Sequence, residues 1–181
     1  MHGLAIRLKR HPDGSASLTL TRADGSVTWQ RQRGQTGNVF PSHDITHYAV
    51  ETALGYEHGF YGLVADGWEI ADFAAPWPRG PIPHEALDVE LIVGLFDAER
   101  RSGERWSAEQ FSEHAATYVA ASKVASALVP PVFTDDEIAR VRAVRDDALA
   151  RWYATTAGGA LELRFERTTT HPASASAPSS R

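Results

Sequence analysis

Ser42-His43-Asp44-Ile45-Thr46-His47-Tyr48-Ala49-Val50-Glu51 gathers two imidazoles and two carboxylates at a helical spacing. Plotted at 100° per residue from His43, the side chains of His43, His47, Glu51 and Asp44 fall at about 0°, 40°, 80° and 100°, inside one arc. The rest of the circumference is Tyr48, Thr52, Ile45, Ala49, Ala53, Thr46 and Val50, with no charge. That pattern predicts a mostly buried helix with one polar stripe, and buried ionisable groups are costly unless paired or bound to metal. Histidines at i and i+4 lie about 6 Å apart along the axis, so both can ligate one ion. Glu51 lies about 12 Å from His43, too far to join that set easily from one straight helix. It reads as a carboxylate of the catalytic site that orients an imidazole.

The setting sharpens the case for a metal. Between Arg33 and Arg79 the chain runs 45 residues without Lys or Arg, while holding six acids (Asp44, Glu51, Glu57, Asp66, Glu69, Asp72) and His43, His47 and His58. These carboxylates have no cation close in sequence, and a bound ion would neutralise some of them. A third ligand would come from the following helix. With the chain reversing near Tyr56, Glu69 is set opposite His43 and Asp66 opposite His47, so Glu69 is the first choice and Asp66 the second. His58 and His114 are further candidates.

His43-Asp44-x-x-His47 resembles the His-Glu-x-x-His helix of zincin metallopeptidases, and Glu69, 22 residues beyond His47, is similar to the downstream glutamate of their gluzincin branch. The resemblance covers some 30 residues. It implies zinc held by His43, His47 and Glu69, with Asp44 as general base on a zinc-bound water. Asp is one methylene shorter than the usual Glu, which draws its carboxylate back by more than about 1 Å from a proton that must lie within about 3 Å.

Two functions follow from the stripe. One is a metal-binding protein with metal-dependent hydrolase activity on a small-molecule or peptide substrate, with Asp44 and Glu51 as catalytic residues, His43, His47 and Glu69 as ligands, and zinc as the default divalent metal. The other is a non-catalytic structural or interaction protein, its His and Glu side chains satisfied by an internal hydrogen-bond network. On the next segment, Phe60, Leu63, Val64, Trp68 and Ala71 form an apolar arc opposite Asp66, Glu69 and Asp72, the pattern of a solvated acidic face.

Composition narrows the field. The net charge of -5 offers no footprint for nucleic acid, and the absence of cysteine removes disulfides, thiolate chemistry and Cys-type zinc sites. No apolar run reaches membrane-span length, and the first ten residues lack the apolar core of a secretion signal, so a cytoplasmic location is the default. Sixteen Arg against two Lys, with abundant Ala, has the look of a GC-rich bacterial coding bias.

The elements that must position the stripe read as α+β. Period-2 alternation marks strands at Gly3 to Lys9, Ser17 to Thr21 and Val27 to Gln32, the last with Val27 and Trp29 inward, joined by turns at His11–Gly14 and Ala23–Gly25. After a loop over Gly34 to Asn38, Ser42 caps the first helix and Gly55 ends it. A second helix spans Phe60 to Phe73, and four prolines from Pro76 to Pro83 make the next stretch irregular. Glu85 to Arg101, apolar on most sides, reads as the central buried helix. Capping boxes Ser107/Gln110 and Thr134/Glu137 open a fourth helix reaching about Ser122 and a fifth reaching about Tyr153. Ala160 to Arg167 alternates again and is expected to join the N-terminal strands. The sum is one globular domain over residues 1–167, an antiparallel sheet of about four strands against about five helices, and a disordered Thr, Ser, Ala and Pro tail over 168–181.

Overall fold

The computed structural model describes residues 3–34, 36–121 and 128–167; the tail beyond Arg167 and the expected helix end at Ser122 lie outside them. Strands β1 (Gly3–Arg10), β2 (Ala16–Thr21) and β3 (Val27–Gln32) form a meander. Five helices follow, α1 (Thr36–Leu54), α2 (Phe60–Ala65), α3 (His84–Ser102), α4 (Ala108–Ala121) and α5 (Asp135–Ala154), before β4 (Ala160–Glu166) closes the chain. The sheet order is β3-β2-β1-β4, antiparallel throughout, with Leu4 opposite Phe165 and Leu8 opposite Leu161. The α+β reading and the return of the last strand to β1 hold.

Leu4, Ile6 and Leu8 of β1 and Leu18 and Leu20 of β2 present one face to a core shared with Ile45, Tyr61, Val64, Trp152 and Phe165. A second core, between the helices, joins Ala49 and Val50 to Val89, Phe96, Phe111 and Val141. Helices α1 and α5 contribute to both, so the pair of them is central. The sequence pattern had placed α3 there. Its Ala86, Val89, Ile92, Val93 and Phe96 are buried, but the arc carrying Leu87, Gly94 and Arg101 is not.

Three local expectations are corrected. Helix α1 begins at Thr36, with Pro41 inside it, and Ser42 is buried within the helix instead of capping it. Pro41 is the sixth residue of the helix, past the four unpartnered N–H groups of the first turn, so it removes one intrahelical hydrogen bond. The second helix stops at Ala65; Gly67 adopts a positive φ of 96°, and a separate 3-10 turn covers Ile70–Phe73. In β3, Thr28 faces the core while Val27 and Trp29 face out. The tight turn from Arg22 to Ser26 pairs Leu20 with Thr28, and because β2 points Leu20 inward, its partner must point inward too.

Both capping boxes form. Ser107 and Gln110 exchange backbone-to-side-chain hydrogen bonds of 2.8 and 3.3 Å, and Thr134 and Glu137 do so at 2.8 and 3.2 Å. The acids read as a solvated face instead meet arginines from outside the segment: Arg167 pairs with Asp66 at 2.6 Å, Arg22 with Glu69 at 3.0 Å and Arg79 with Asp72 at 2.6 Å.

Helices α3 and α5 are joined by Glu99, which is buried against Arg142 and Arg145 and accepts the Trp106 N–H at 3.1 Å. Glu99→Ala removes the buried partner of Arg145, leaving it the half-exposed Asp146, and is expected to cost about 3 kcal/mol in urea unfolding. Glu162→Ala, at the exposed Arg7–Glu162 pair, is expected to cost at most about 1 kcal/mol in the same assay.

Candidate metal centre

Helix α1 is held with its polar stripe against α3. His43 meets Asp97, His47 meets Glu90, and the chain beyond α1 meets Glu85 at the start of α3, so the two helices run antiparallel. Gly55, with φ 76°, ends α1. The short α2 then folds back so that its first N–H groups point at Glu51.

Each histidine has a carboxylate on Nδ1. His43 Nδ1 lies 2.9 Å from Asp97 Oδ2, and the other Asp97 oxygen accepts the Thr46 hydroxyl at 3.0 Å. His47 Nδ1 faces Glu51 Oε1 at 3.4 Å, an ion-pair contact without hydrogen-bond alignment, so that buried nitrogen has no hydrogen-bond partner among the described residues. His47 Nε2 lies 3.3 Å from Glu90 Oε1. The two rings stand edge to face with centroids 4.8 Å apart, flanked by Phe60 against His47 and Phe40 against His43. One ligand atom from each of His43, His47 and Glu90 falls within 4.8 Å of the others. A carboxylate holding Nδ1–H fixes the tautomer that leaves Nε2 free to bind a metal.

Asp44 is the second buried group of the stripe, and its Oδ2 makes no hydrogen bond among the described residues. Burial pushes its carboxyl up to about 7; His43 and His47 oppose that rise, and Asp97 and Glu90 reinforce it. For His47, burial disfavours the charge, but the carboxylates of Glu51 and Glu90 on either side of the ring outweigh it and push the imidazole up to about 10. Glu90 is held below the ordinary carboxylate range: its partial burial acts the other way, but His47 and His43 prevail. Glu51 is raised by burial, against the pull of His47 and of the backbone N–H groups of Gly62 and Tyr61.

The placement of the other expected site residues is specific. Glu69 caps the 3-10 turn and pairs with Arg22, away from the histidines, and Asp66 pairs with Arg167. They were set opposite α1 by assuming one continuous helix from Phe60; the break after Ala65 removes that register. The acid beside the two imidazoles is Glu90. Glu51 has no exposed side-chain surface. It accepts Tyr61 N–H at 2.9 Å and Gly62 N–H at 3.2 Å, tying α2 to α1, and is placed to orient His47 and not to touch a substrate. A Cβ on Gly59 would come within 2.5 Å of the Glu51 carboxyl carbon, so glycine is needed there. His58 pairs with Glu85, and His114 stacks on Trp106 with centroids 4.0 Å apart.

Glu90 and Asp97 were missed by sequence, although a signal existed. They are seven residues apart on a helix that is otherwise apolar on most sides, which sets them within about 20° of each other. The reasoning applied to the acids of α1 applies equally to them.

No family model, curated protein or solved structure matches the chain. The residues and their geometry are therefore the whole ground for a functional reading.

Asp44 supplies a test of the buried stripe in metal-free protein. Its folded pKa is raised, so between about 4 and 7 the unfolded chain releases a proton that the native chain keeps, and stability falls as pH rises through that window. Asp44→Asn is expected to remove this fall. Thermal unfolding should show the variant more stable than the parent above pH 7, with the gap narrowing toward pH 4.

Proposed function

We propose that the chain binds one divalent metal ion through His43, His47 and Glu90 and uses it for hydrolysis. The observation that carries the reading is that His43, His47 and Glu90 each bring one ligand atom within 4.8 Å of the others, with the Nδ1 of His43 held by Asp97. Two imidazoles and one carboxylate are a common ligand set for zinc with an open coordination position, and iron or manganese accepts the same donors.

The chain's own residues divide the work. Asp97, fixed by Thr46, holds the His43 ring; Glu51, fixed by the N–H groups of α2, sets a negative charge 3.4 Å from His47 Nδ1. Asp44 has a buried oxygen with no hydrogen bond among the described residues, which suits a group that receives a proton from a reacting water. A bound divalent cation would supply a Lewis acid and make such a water easier to deprotonate. It would also favour the ionised form of Asp44, because an adjacent positive charge stabilises a carboxylate.

The second reading, a non-catalytic ion-pair network, draws on His47 itself. Set between Glu51 and Glu90, a charged imidazolium needs no metal to be satisfied. That network would stabilise the fold fully below the ordinary histidine pKa of about 6.5 and lose its contribution as pH rises through about 10.

Calorimetric titration of chelator-treated protein with zinc separates the two. The metal reading expects one ion per chain and, at a free concentration a hundred times Kd, about 2.7 kcal/mol of stabilisation, a Tm rise of about 5–10 °C. His43→Ala, His47→Ala and Glu90→Gln should each abolish binding, while Glu69→Gln should leave it intact. Asp44→Asn should retain zinc and lose ester hydrolysis. Zinc without effect on Tm, together with an NMR-observed His47 that stays protonated at pH 8, would establish the network instead.

A further inference from the structure

Between α3 and α4 lies a groove of about 650 Å³, a volume typical of ligand sites. Its walls are chiefly aliphatic and aromatic, led by Leu87, Leu91, Leu95 and Trp106. Glu90 belongs to both places: it lines the groove and reaches His47. At the other end stands Arg101, eleven residues along α3 and so about 16 Å away. Arg101 is exposed and makes no salt bridge among the described residues, unlike its neighbour Arg100, which contacts Asp97 at 3.7 Å.

Gly94 lies midway along this line. Glycine inside a helix is destabilising relative to alanine, and at the other glycines whose surroundings are described a close contact or a positive φ explains it. At Gly94 neither applies: φ is not positive, and a Cβ built there would meet nothing within 4 Å among the described residues. What the missing side chain leaves is open space in the groove. An extended peptide would bring a run of N–H and C=O groups into a trough whose polar lining, besides Glu90 and Arg101, is the side chains of Trp106, His114, Thr117 and Tyr118. The backbone of α3 is spent within the helix, and the Thr117 hydroxyl already donates to the Glu113 carbonyl at 2.9 Å. A hydrocarbon chain makes no such demand.

We infer that this groove binds a linear acyl chain bearing an anionic group, with the anion on Arg101, the chain passing over Gly94, and the far end beside Glu90. The binding of the chain stands on the groove alone; its role as the substrate class rests on the proposed metal centre. The site then acts on a bond carried at the Glu90 end of an amphipathic acid.

Titration of zinc-free protein with dodecanoate below its micelle concentration tests the inference. The parent should bind, Gly94→Leu should bind at least about tenfold more weakly, and Arg101→Ala about fivefold more weakly while its affinity for dodecanol stays that of the parent. Thermal unfolding identifies any variant that fails to fold, and Arg101→Ala, at an exposed position, keeps the test open if Gly94→Leu does not. Absence of dodecanoate binding, equal binding by Gly94→Leu, a parallel loss of dodecanoate and dodecanol in Arg101→Ala, or tighter binding of an uncharged leucine-rich pentapeptide would each overturn it. Loss of zinc binding with dodecanoate binding intact defeats the metal centre alone, and the converse defeats the groove alone.

Discussion

Burying three ionisable side chains, and half-burying a fourth, on one face of α1 is the constraint to which much of the structure answers. His43, Asp44, His47 and Glu51 are carried by a helix that contributes to both hydrophobic cores, so this face cannot turn to water without dismantling them. Each charge has to be met from within. Helix α3 supplies Asp97 and Glu90, and α2 lends its N-terminal N–H groups to Glu51. The Tyr61 hydroxyl donates to the Asp44 backbone carbonyl at 2.9 Å, fixing α2 further against α1. Asp44 Oδ2 is the acceptor left over among the described residues, and a buried acceptor without a partner costs about 1–3 kcal/mol.

Charge elsewhere is handled by arginine brought in from a distance. Arg22 comes from the end of the β2 region, Arg79 from the proline-rich connection and Arg167 from beyond β4, and they reach Glu69, Asp72 and Asp66. Arg22 also donates to the Val64 carbonyl at 2.7 Å and to the Trp68 carbonyl, so one guanidinium closes the segment after α2 onto the sheet. The acidic run therefore splits. Its later carboxylates are spent on holding the chain in place, and Asp44 and Glu51 are left with the histidines. The same division gives Glu90 its position, at the seam between the buried face of α3 and the groove that α3 shares with α4.

Local rules made much of the fold legible before any coordinates. Alternation in β1, β2 and β4, the two capping boxes and the glycine that ends α1 are decided by residues within a turn or two of one another. Thr134 and Glu137 satisfy each other wherever the rest of the chain lies. The errors arose where a local rule needed a partner. Val27 and Trp29 are the more apolar residues of β3, yet pairing of Thr28 with Leu20 turned them outward. The apolar arc from Phe60 continued past Ala65 on paper, but Gly67 and the 3-10 turn after it ended the helix. Helix α3 carries enough apolar residues to be central, and only its packing against α1 and α5 decided which arc stayed open.

The sequence by itself determined that His43, Asp44, His47 and Glu51 share one stripe of a buried helix, because a helical repeat is a property of the chain alone. It also determined that the histidines were the residues to watch, because the helix that carries them bears no other charge outside the stripe. Which acid stands beside them was decided only in three dimensions. Glu69 and Glu90 are both acids downstream of the same histidines, and no local spacing separates them. The antiparallel packing of α3 on α1 brought Glu90 to His47 and Asp97 to His43, while Arg22 drew Glu69 to the sheet. Long-range pairings of this kind depend on the register between elements, and that register is set by the whole core.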